Sequence, residues 1–294
     1  MNNRTKAFWW MVAASFFYAM LAVDFKFLAK RYPVFEMIFA RNFTAFIFVG
    51  FYMIARGIKT FKFTNFKLLT ARGIFGTFAA LFYFYSLSVL PVATVITIHK
   101  TAPFFIIILS WIFLKEKSSR YKFIAFFIAF TGILLIFKPG YNSGRYFYLF
   151  LPVFSAIFSA ISHTIVRKLG ETNEPVVIVV FFFFVSNFIL APLMIYQGIK
   201  LPDNVFHWFL VALLGVFTGA AQITMTKSYS LTKAGEASLY SYINIPFAVL
   251  LAYLVFGEIP DKISFMGILL VIYAAFVNYR ERIFFWAGKP KKAS

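Results

Sequence analysis

Long apolar runs, almost free of charge, recur along the whole chain and restrict what it can fold into. About 20 apolar residues in an α-helix, each rising 1.5 Å, cross the ~30 Å hydrocarbon layer of a bilayer. The backbone of such a run must satisfy its own hydrogen bonds, which an α-helix does. The sequence therefore predicts an all-α integral membrane protein with ten transmembrane helices. The predicted spans are Ala7–Leu28, Val34–Ala55, Gly73–Leu90, Val92–Leu114, Tyr121–Phe137, Tyr146–Ile165, Val176–Gln197, Val205–Thr226, Ala234–Phe256 and Ile263–Tyr279.

The composition agrees with a chain that has the lipid bilayer as its main partner. Of the 294 residues, 62% are hydrophobic and 13% are charged, whereas a soluble domain has about 25% charged residues. The formal charge of +19 would suggest nucleic acid in a soluble protein, but these cations lie between apolar runs. No nucleic-acid partner is expected. The chain has no cysteine, so thiolate metal sites and thiol nucleophiles are excluded, and neither a cofactor nor a metal is predicted.

The distribution of Lys and Arg predicts the orientation. With the N-terminus inside, twenty of the 29 cations fall in inside segments and seven in outside segments. This asymmetry follows the positive-inside rule and favours an even number of spans with both termini in the cytoplasm. The short loops suggest a bacterial inner membrane.

The two halves of the sequence resemble each other, with residues 1–140 as one copy and residues 141–294 as the other. Tyr85-Ser86-Leu87 recurs as Tyr229-Ser230-Leu231, Pro103 recurs as Pro246, and Glu116 recurs as Glu258. Five spans in each half is an odd number, so the second copy must enter the membrane from the opposite side. The sequence thus predicts two inverted five-helix repeats, an arrangement that gives transporters two exchangeable conformations.

The alignment of the fifth and tenth spans has two solutions. An alignment without a gap sets Gly132 opposite Ala274, and one with a gap sets Gly132 opposite Gly267. The ungapped alignment is preferred here, because the gap would delete two helical turns.

Several of these residues resemble a known family signature. They are Arg72-Gly73…Gly76, Tyr83-Phe84-Tyr85-Ser86-Leu87…Pro91, Thr101-Ala102-Pro103…Phe113-Leu114-Lys115-Glu116-Lys117, and in the second copy Ala237…Pro246…Phe256-Gly257-Glu258. The chain resembles EamA-type members of the drug/metabolite transporter superfamily over nearly its whole length. One departure is Phe183, which stands where the first copy has Arg41.

The resemblance implies a secondary transporter with a cavity formed mainly by the first four helices of each repeat. Members of that family move amino acids, nucleotide-like metabolites such as S-adenosylmethionine, vitamins such as riboflavin, sugars or drugs. The fold does not choose among them.

Ionisable groups deep in the spans are the first candidates for substrate binding, because each costs about 2.5–3.5 kcal/mol to insert. The deepest are Arg41, His99 and Lys100. We expect Arg41 and Lys100 to bind an anionic group of the substrate, such as a carboxylate or phosphate. The alternative is an internal ion pair with Asp24 or Glu36.

A coupling proton, or else a counter-substrate, would need its own site. His99 changes charge near neutral pH, and Glu36 and Asp24 are further candidates. In the alternative without a coupling role, His99 donates a structural hydrogen bond and the two carboxylates are solvated near the outer interface. His163 is expected at the inner interface.

Further polar and proline residues complete the candidate site. Tyr240 and Asn244, four apart on one helix face, are expected to line the cavity opposite Lys100, with Gln222 as a weaker candidate. Pro103 and Pro246 would each free a carbonyl inside a helix, and such matched bends suit gating. Static kinks are the alternative.

Together these features predict a transporter of a small organic metabolite of the amino-acid, nucleotide-like or vitamin class, bearing an anionic group. The alternatives are an exporter of amino acids or hydrophobic drugs, or a membrane subunit that does not transport. An enzyme is not expected, because the three His residues are scattered and acids are few. Monomer and homodimer remain open.

Overall fold

The computed structural model describes residues 2–28, 31–58, 64–90, 92–116, 119–137, 146–197, 200–257 and 261–286. Within these ranges the regular elements are α-helices and two short 3-10 turns, without strands. The helices are α1 (Asn3–Leu28), α2 (Val34–Ala55), α3 (Phe66–Val89), α4 (Val92–His99), α5 (Ala102–Leu114), α6 (Arg120–Phe137), α7 (Phe150–Leu169), α8 (Pro175–Gln197), α9 (Val205–Leu231), α10 (Ala234–Tyr240), α11 (Asn244–Phe256) and α12 (Lys262–Trp286).

Eight stretches of the described chain are long and apolar enough to cross a membrane. They coincide with eight of the ten predicted spans, and they confirm an all-α, multi-pass membrane protein. The other two predicted spans correspond to α6 and α12, which pack against each other. The total of ten spans stays a prediction.

Two of the predicted spans are interrupted at equivalent places. The fourth breaks between α4 and α5 at Lys100 and Thr101, and the ninth breaks between α10 and α11 at a 3-10 turn, Ser241–Ile243. The two breaks touch, since the Tyr242 hydroxyl donates to the Lys100 carbonyl at 2.9 Å.

Each predicted bend coincides with one of these interruptions, which lie directly before Pro103 and Pro246. Pro103 and Pro246 lie in the first turns of α5 and α11. The first N–H groups of a helix have no intrahelical acceptor, so proline costs little there. Each proline thus marks where a new helix starts, and the preceding residues form the break.

The helix packing is nearly unchanged when the two halves are exchanged. The contact of α1 with α9 has its counterpart in α7 with α3, and that of α1 with α11 in α7 with α5. Equivalent helices meet in the pairs α2–α8 and α6–α12. This pattern is what an approximate two-fold axis between two repeats produces.

The crossing of α6 and α12 shows that the preferred ungapped alignment is wrong for this pair. A Cβ on Gly132 would meet the Gly267 carbonyl, Leu270 and Val271, and a Cβ on Gly267 would meet the Gly132 carbonyl, Leu135 and Ile136. These reciprocal contacts match the gapped alignment. The gap removes turns at the start of α12, where only Lys262–Met266 precede Gly267, so no helix is interrupted.

The first and last helices meet at one end of the bundle. Arg4, at the start of α1, donates to the Asn278 carbonyl of α12, and Ser228 of α9 donates to the Ala7 carbonyl at 2.7 Å. At the opposite end, Tyr32 and His207 are joined at 2.8 Å. This arrangement agrees with an even number of crossings.

The glycine crossing gives a first testable prediction. In Gly132→Ala the new methyl would lie 2.6 Å from the Gly267 carbonyl oxygen, so the helices must separate. We expect this substitution to lower the free energy of unfolding by about 1–3 kcal/mol, measured by thermal unfolding in detergent. The matched control is Gly50→Ala in α2, where a Cβ has no neighbour within 4 Å. An equal response of the two variants would contradict the crossing.

Candidate functional site

Polar and cationic side chains from both repeats converge in the middle of the bundle. The hydroxyl of Tyr18 interacts electrostatically with Arg41 and Arg72, and His163 interacts with Arg72 and with His99, beside Lys100. We call this set the central cluster. Its members are Tyr18 (α1), Arg41 (α2), Arg72 (α3), His99 (α4), Lys100 (at the break), His163 (α7) and Gln222 (α9).

Arg72 is the main residue that the sequence interpretation missed. The predicted third span started at Gly73, but α3 begins at Phe66, which carries Arg72 two turns into the helix. Its side chain is 2% exposed. The guanidinium stacks on the Phe182 ring at 3.9 Å and donates to Gln222 Oε1 at 3.1 Å. The small residue four positions on, Gly76, was the available signal, because a Cβ there would collide with the guanidinium.

His163 also lies elsewhere than predicted. It is inside the bundle, where its ring stacks on Tyr229 with centroids 5.1 Å apart. Nδ1 approaches the Ser159 carbonyl at 2.7 Å, and Nε2 lies 3.3 Å from Met225 Sδ. The expectation of an interfacial His163 was wrong, because the helix that carries it continues to Leu169.

Arg41 lies where α2 meets α3 and α8. Its Nε and Nη2 donate to Asn42 Oδ1 at 3.2 and 3.1 Å, and its guanidinium lies 5.2 Å from the Phe84 ring centre. Asn42 in turn donates to Ser186 Oγ of α8 at 2.7 Å. Asn42 is a neutral amide, so it orients Arg41 without neutralising its charge.

His99 and Lys100 occupy the end of α4 and the start of the break. His99 Nδ1 is 3.0 Å from Ser155 Oγ of α7, and its ring lies 4.7 Å from that of Tyr83. The structural hydrogen bond suggested as an alternative role for His99 is thus present.

The internal ion pair suggested as the alternative for Arg41 and Lys100 does not form. Ion pairs among the described residues involve neither of them. Glu36 accepts instead from the Lys200 backbone N–H at 3.1 Å. Asp24 is 4% exposed, and neither carboxylate oxygen has a hydrogen-bond partner in the described part of the chain.

The two candidates on the ninth span both contact α1, one on each side of the 3-10 turn. Tyr240 is fully buried near the end of the bundle that holds the N-terminus, and its hydroxyl donates to Glu236 at 2.6 Å. Asn244 donates to the Ser15 carbonyl of α1 at 3.0 Å. Gln222, the weaker candidate, lies in the central cluster and donates to the Tyr18 hydroxyl at 3.0 Å.

Ion pairs tie the two repeats together at that same end. Arg4 pairs with Glu236. Glu116 accepts from Arg167 at 3.1 Å and from the Ala234 backbone N–H, at the start of α10, at 2.9 Å. Glu116 therefore joins the two repeats at this end, and its counterpart Glu258 lies outside the described residues.

The fold and the central cluster define a class, a polytopic membrane protein built from two repeats around a polar, cationic centre. A family model described as the EamA-like transporter family matches residues 5–138 and 146–280, one match in each half. The chain therefore belongs to the EamA-like transporter family, within the drug/metabolite transporter superfamily.

Several characterised relatives are similar to this chain over most of their length. The pseudopaline exporter of Pseudomonas aeruginosa is 26% identical, covering 92% of this chain and 95% of that protein. The riboflavin transporter of Brucella anthropi is 25% identical, with coverage of 92% and 97%. The S-adenosylmethionine uptake transporter of Rickettsia bellii is 25% identical, with coverage of 87% and 88%.

A solved crystal structure has the same fold at 17% sequence identity. It superposes with a TM-score of 0.78 over 93% of this chain and 96% of the other.

The Glu116 contacts lead to a second prediction. Glu116→Gln removes a charge that is 10% exposed and bonded to the other repeat, so we expect a loss of about 1–3 kcal/mol in unfolding free energy. Glu171→Gln is the matched control, because Glu171 also approaches Arg167 but is 44% exposed, and exposed pairs contribute about 0–1 kcal/mol. Thermal unfolding would measure both. Equal shifts would show that Glu116 does not join the repeats.

Proposed function

We propose that this protein is a secondary active transporter that moves a small organic metabolite with an anionic group by alternating access. The observation that carries the proposal is the pair Arg41 and Lys100, two cations inside the bundle with no carboxylate within ion-pair distance among the described residues. An amino-acid, nucleotide-like or vitamin substrate with a carboxylate or phosphate would complement them.

The energetics support an external partner for these charges. Each charge at the bilayer centre costs about 2.5–3.5 kcal/mol, and neutral hydrogen-bond partners recover only part of that. A substrate oxyanion would form charge-assisted hydrogen bonds, which are about twice as strong as neutral ones. Arg41, His99 and Lys100 are half-buried and so retain surface that a ligand can contact.

The interrupted helices support alternating access. Breaks at equivalent positions of two repeats, beside a central site, are the places where such transporters bind and move. The hydrogen bond from the Tyr242 hydroxyl to the Lys100 carbonyl joins the two breaks. A conformational change at Lys100 would therefore also affect the second repeat. Pro103 and Pro246, at the starts of α5 and α11, are the proposed gating positions.

Proton coupling is part of the proposal, with His99, Glu36 and Asp24 as candidates. His99 and Glu36 are held by hydrogen bonds to Ser155 and to the Lys200 backbone. The buried carboxylate of Asp24 has no described partner, and this leaves it the most suitable of the three to take up and release a proton.

The excess of Lys and Arg supports an orientation with both termini in the cytoplasm, in a bacterial inner membrane. The joined ends of α1 and α12 support the placement of both termini on one side. The relatives include proteins named as an exporter and as an uptake transporter. Similarity to the pseudopaline exporter favours export, with amino acids or hydrophobic drugs as the cargo, as the second candidate.

A third prediction tests the cation pair. Arg41→Gln and Lys100→Gln are each expected to weaken binding of an anionic metabolite at least tenfold, because a hydrogen bond to a charged group contributes about 1.5–3 kcal/mol. A thermal-shift screen of a metabolite library would find the ligand, and saturable uptake into proteoliposomes would confirm transport.

Lys168→Gln is the control for this prediction, since Lys168 is exposed and pairs with Glu171 at 2.7 Å. If anionic ligands stabilise all four proteins equally, the cation pair does not bind the substrate.

A further inference from the structure

The side chains around Arg72 in the central cluster are suited to bind an anion. Their role in substrate binding rests on the proposed function. We propose that Arg72, Gln222 and Tyr18 bind the carboxylate or phosphate group of the substrate. Neither the family match nor the names of the relatives assign a role to these three residues. They come from α3, α9 and α1, so the subsite spans both repeats.

The guanidinium of Arg72 is buried, charged and only partly bonded. An Arg side chain has five N–H donors and keeps its charge in proteins. Its one described hydrogen bond joins Nη2 to Gln222, and Nε is buried without a partner. A buried donor left unpaired costs about 1–3 kcal/mol, and more when it is charged. A ligand that accepts from Nε would remove this cost.

The surroundings fix the guanidinium in one orientation. Phe182 covers one face at 3.9 Å, which is a favourable cation–π distance. Gly76 leaves the room that the group occupies, because a Cβ there would also lie 3.0 Å from the Phe182 ring and 3.1 Å from Ser162 Oγ. With one face blocked, the N–H edge is what remains for recognition, and a planar edge of donors suits carboxylate and phosphate oxygens.

Gln222 and Tyr18 provide further N–H and O–H donors. In the described part of the chain the Tyr18 O–H has only a weak acceptor. Gln222 Nε2 donates to the Tyr18 oxygen, so the hydroxyl proton points elsewhere. Its described acceptor is Met225 Sδ at 3.5 Å, and a thioether accepts poorly. A substrate oxyanion would accept the hydrogen bond of the Tyr18 hydroxyl more strongly than the Met225 sulfur does.

The position of Tyr18 also says where the anion lies. Its oxygen lies close enough to Arg72 and Arg41 for both guanidinium groups to stabilise a negative charge at that point. An oxyanion beside Tyr18 is therefore attracted by two guanidinium groups, one from α2 and one from α3. This places an oxyanion of the substrate on the α1 side of the central cluster.

The test measures oxyanion binding to the purified full-length protein by thermal shift, with inorganic phosphate and acetate as separate probes against chloride at constant ionic strength. We expect Arg72→Lys and Tyr18→Phe each to raise the apparent dissociation constant for one of the two probes about tenfold or more. The probe that responds identifies phosphate or carboxylate as the substrate group. General salting effects act on all variants alike.

Arg120→Gln is the matched control, because Arg120 also lies over an aromatic ring, that of Tyr121 at 5.6 Å, but is exposed. It should keep the wild-type response. Arg72→Gln should lose it, and if that variant does not fold, Arg72→Lys and Tyr18→Phe decide the matter. An unchanged response in those two variants would overturn the subsite.

Arg41→Gln and Lys100→Gln, measured in parallel, separate this inference from the proposed function. If those two variants lose binding of the probes while the Arg72 and Tyr18 variants bind like the wild type, the subsite is ruled out and the proposed function is not. A wild-type response in all of them would end both.

Discussion

Positive charge that the chain does not neutralise is the constraint around which this structure is organised. Arg41, Arg72 and Lys100 lie among apolar helices. In the described part of the chain the two guanidinium groups have neutral contacts, and Lys100 forms no ion pair. A bilayer offers such charges no water, so they persist only where protein dipoles and aromatic faces support them. Asn42, Gln222 and Phe182 give that support and leave room for a stronger, external partner.

The two repeats contribute different side chains to the central cluster, although their helices pack with two-fold symmetry. The three cations come from the first repeat, whereas the second contributes Phe182, Gln222 and His163. At the position equivalent to Arg41 the second repeat has Phe183, which is fully buried. Under the proposed function, the symmetric scaffold would supply two exchangeable arrangements, and the asymmetric side chains would orient the substrate.

The apolar runs made the helices predictable, because hydrophobic length is read directly from sequence. The repeats and the family were predictable from short motifs that recur in both halves. Arg72 was missed since the cations before Gly73 look like a loop, and only the longer α3 places that residue inside. Tyr240 and Asn244 both contact α1, as a shared helix face predicts, but the Tyr240 hydroxyl is bonded to Arg4 and Glu236 near the end of the bundle. Where a helix starts or breaks depends on contacts between repeats, and hydropathy does not record those contacts.

The most direct test of the central claim is an experimental structure of the protein bound to an anionic metabolite that it transports. The account predicts ligand oxyanion density within hydrogen-bond distance of Tyr18 and of the Arg72 guanidinium, with Arg41 and Lys100 also in contact with the anionic ligand. A structure in which Asp24, Glu36 or another carboxylate of the chain pairs with these cations, and the ligand binds elsewhere, would contradict it.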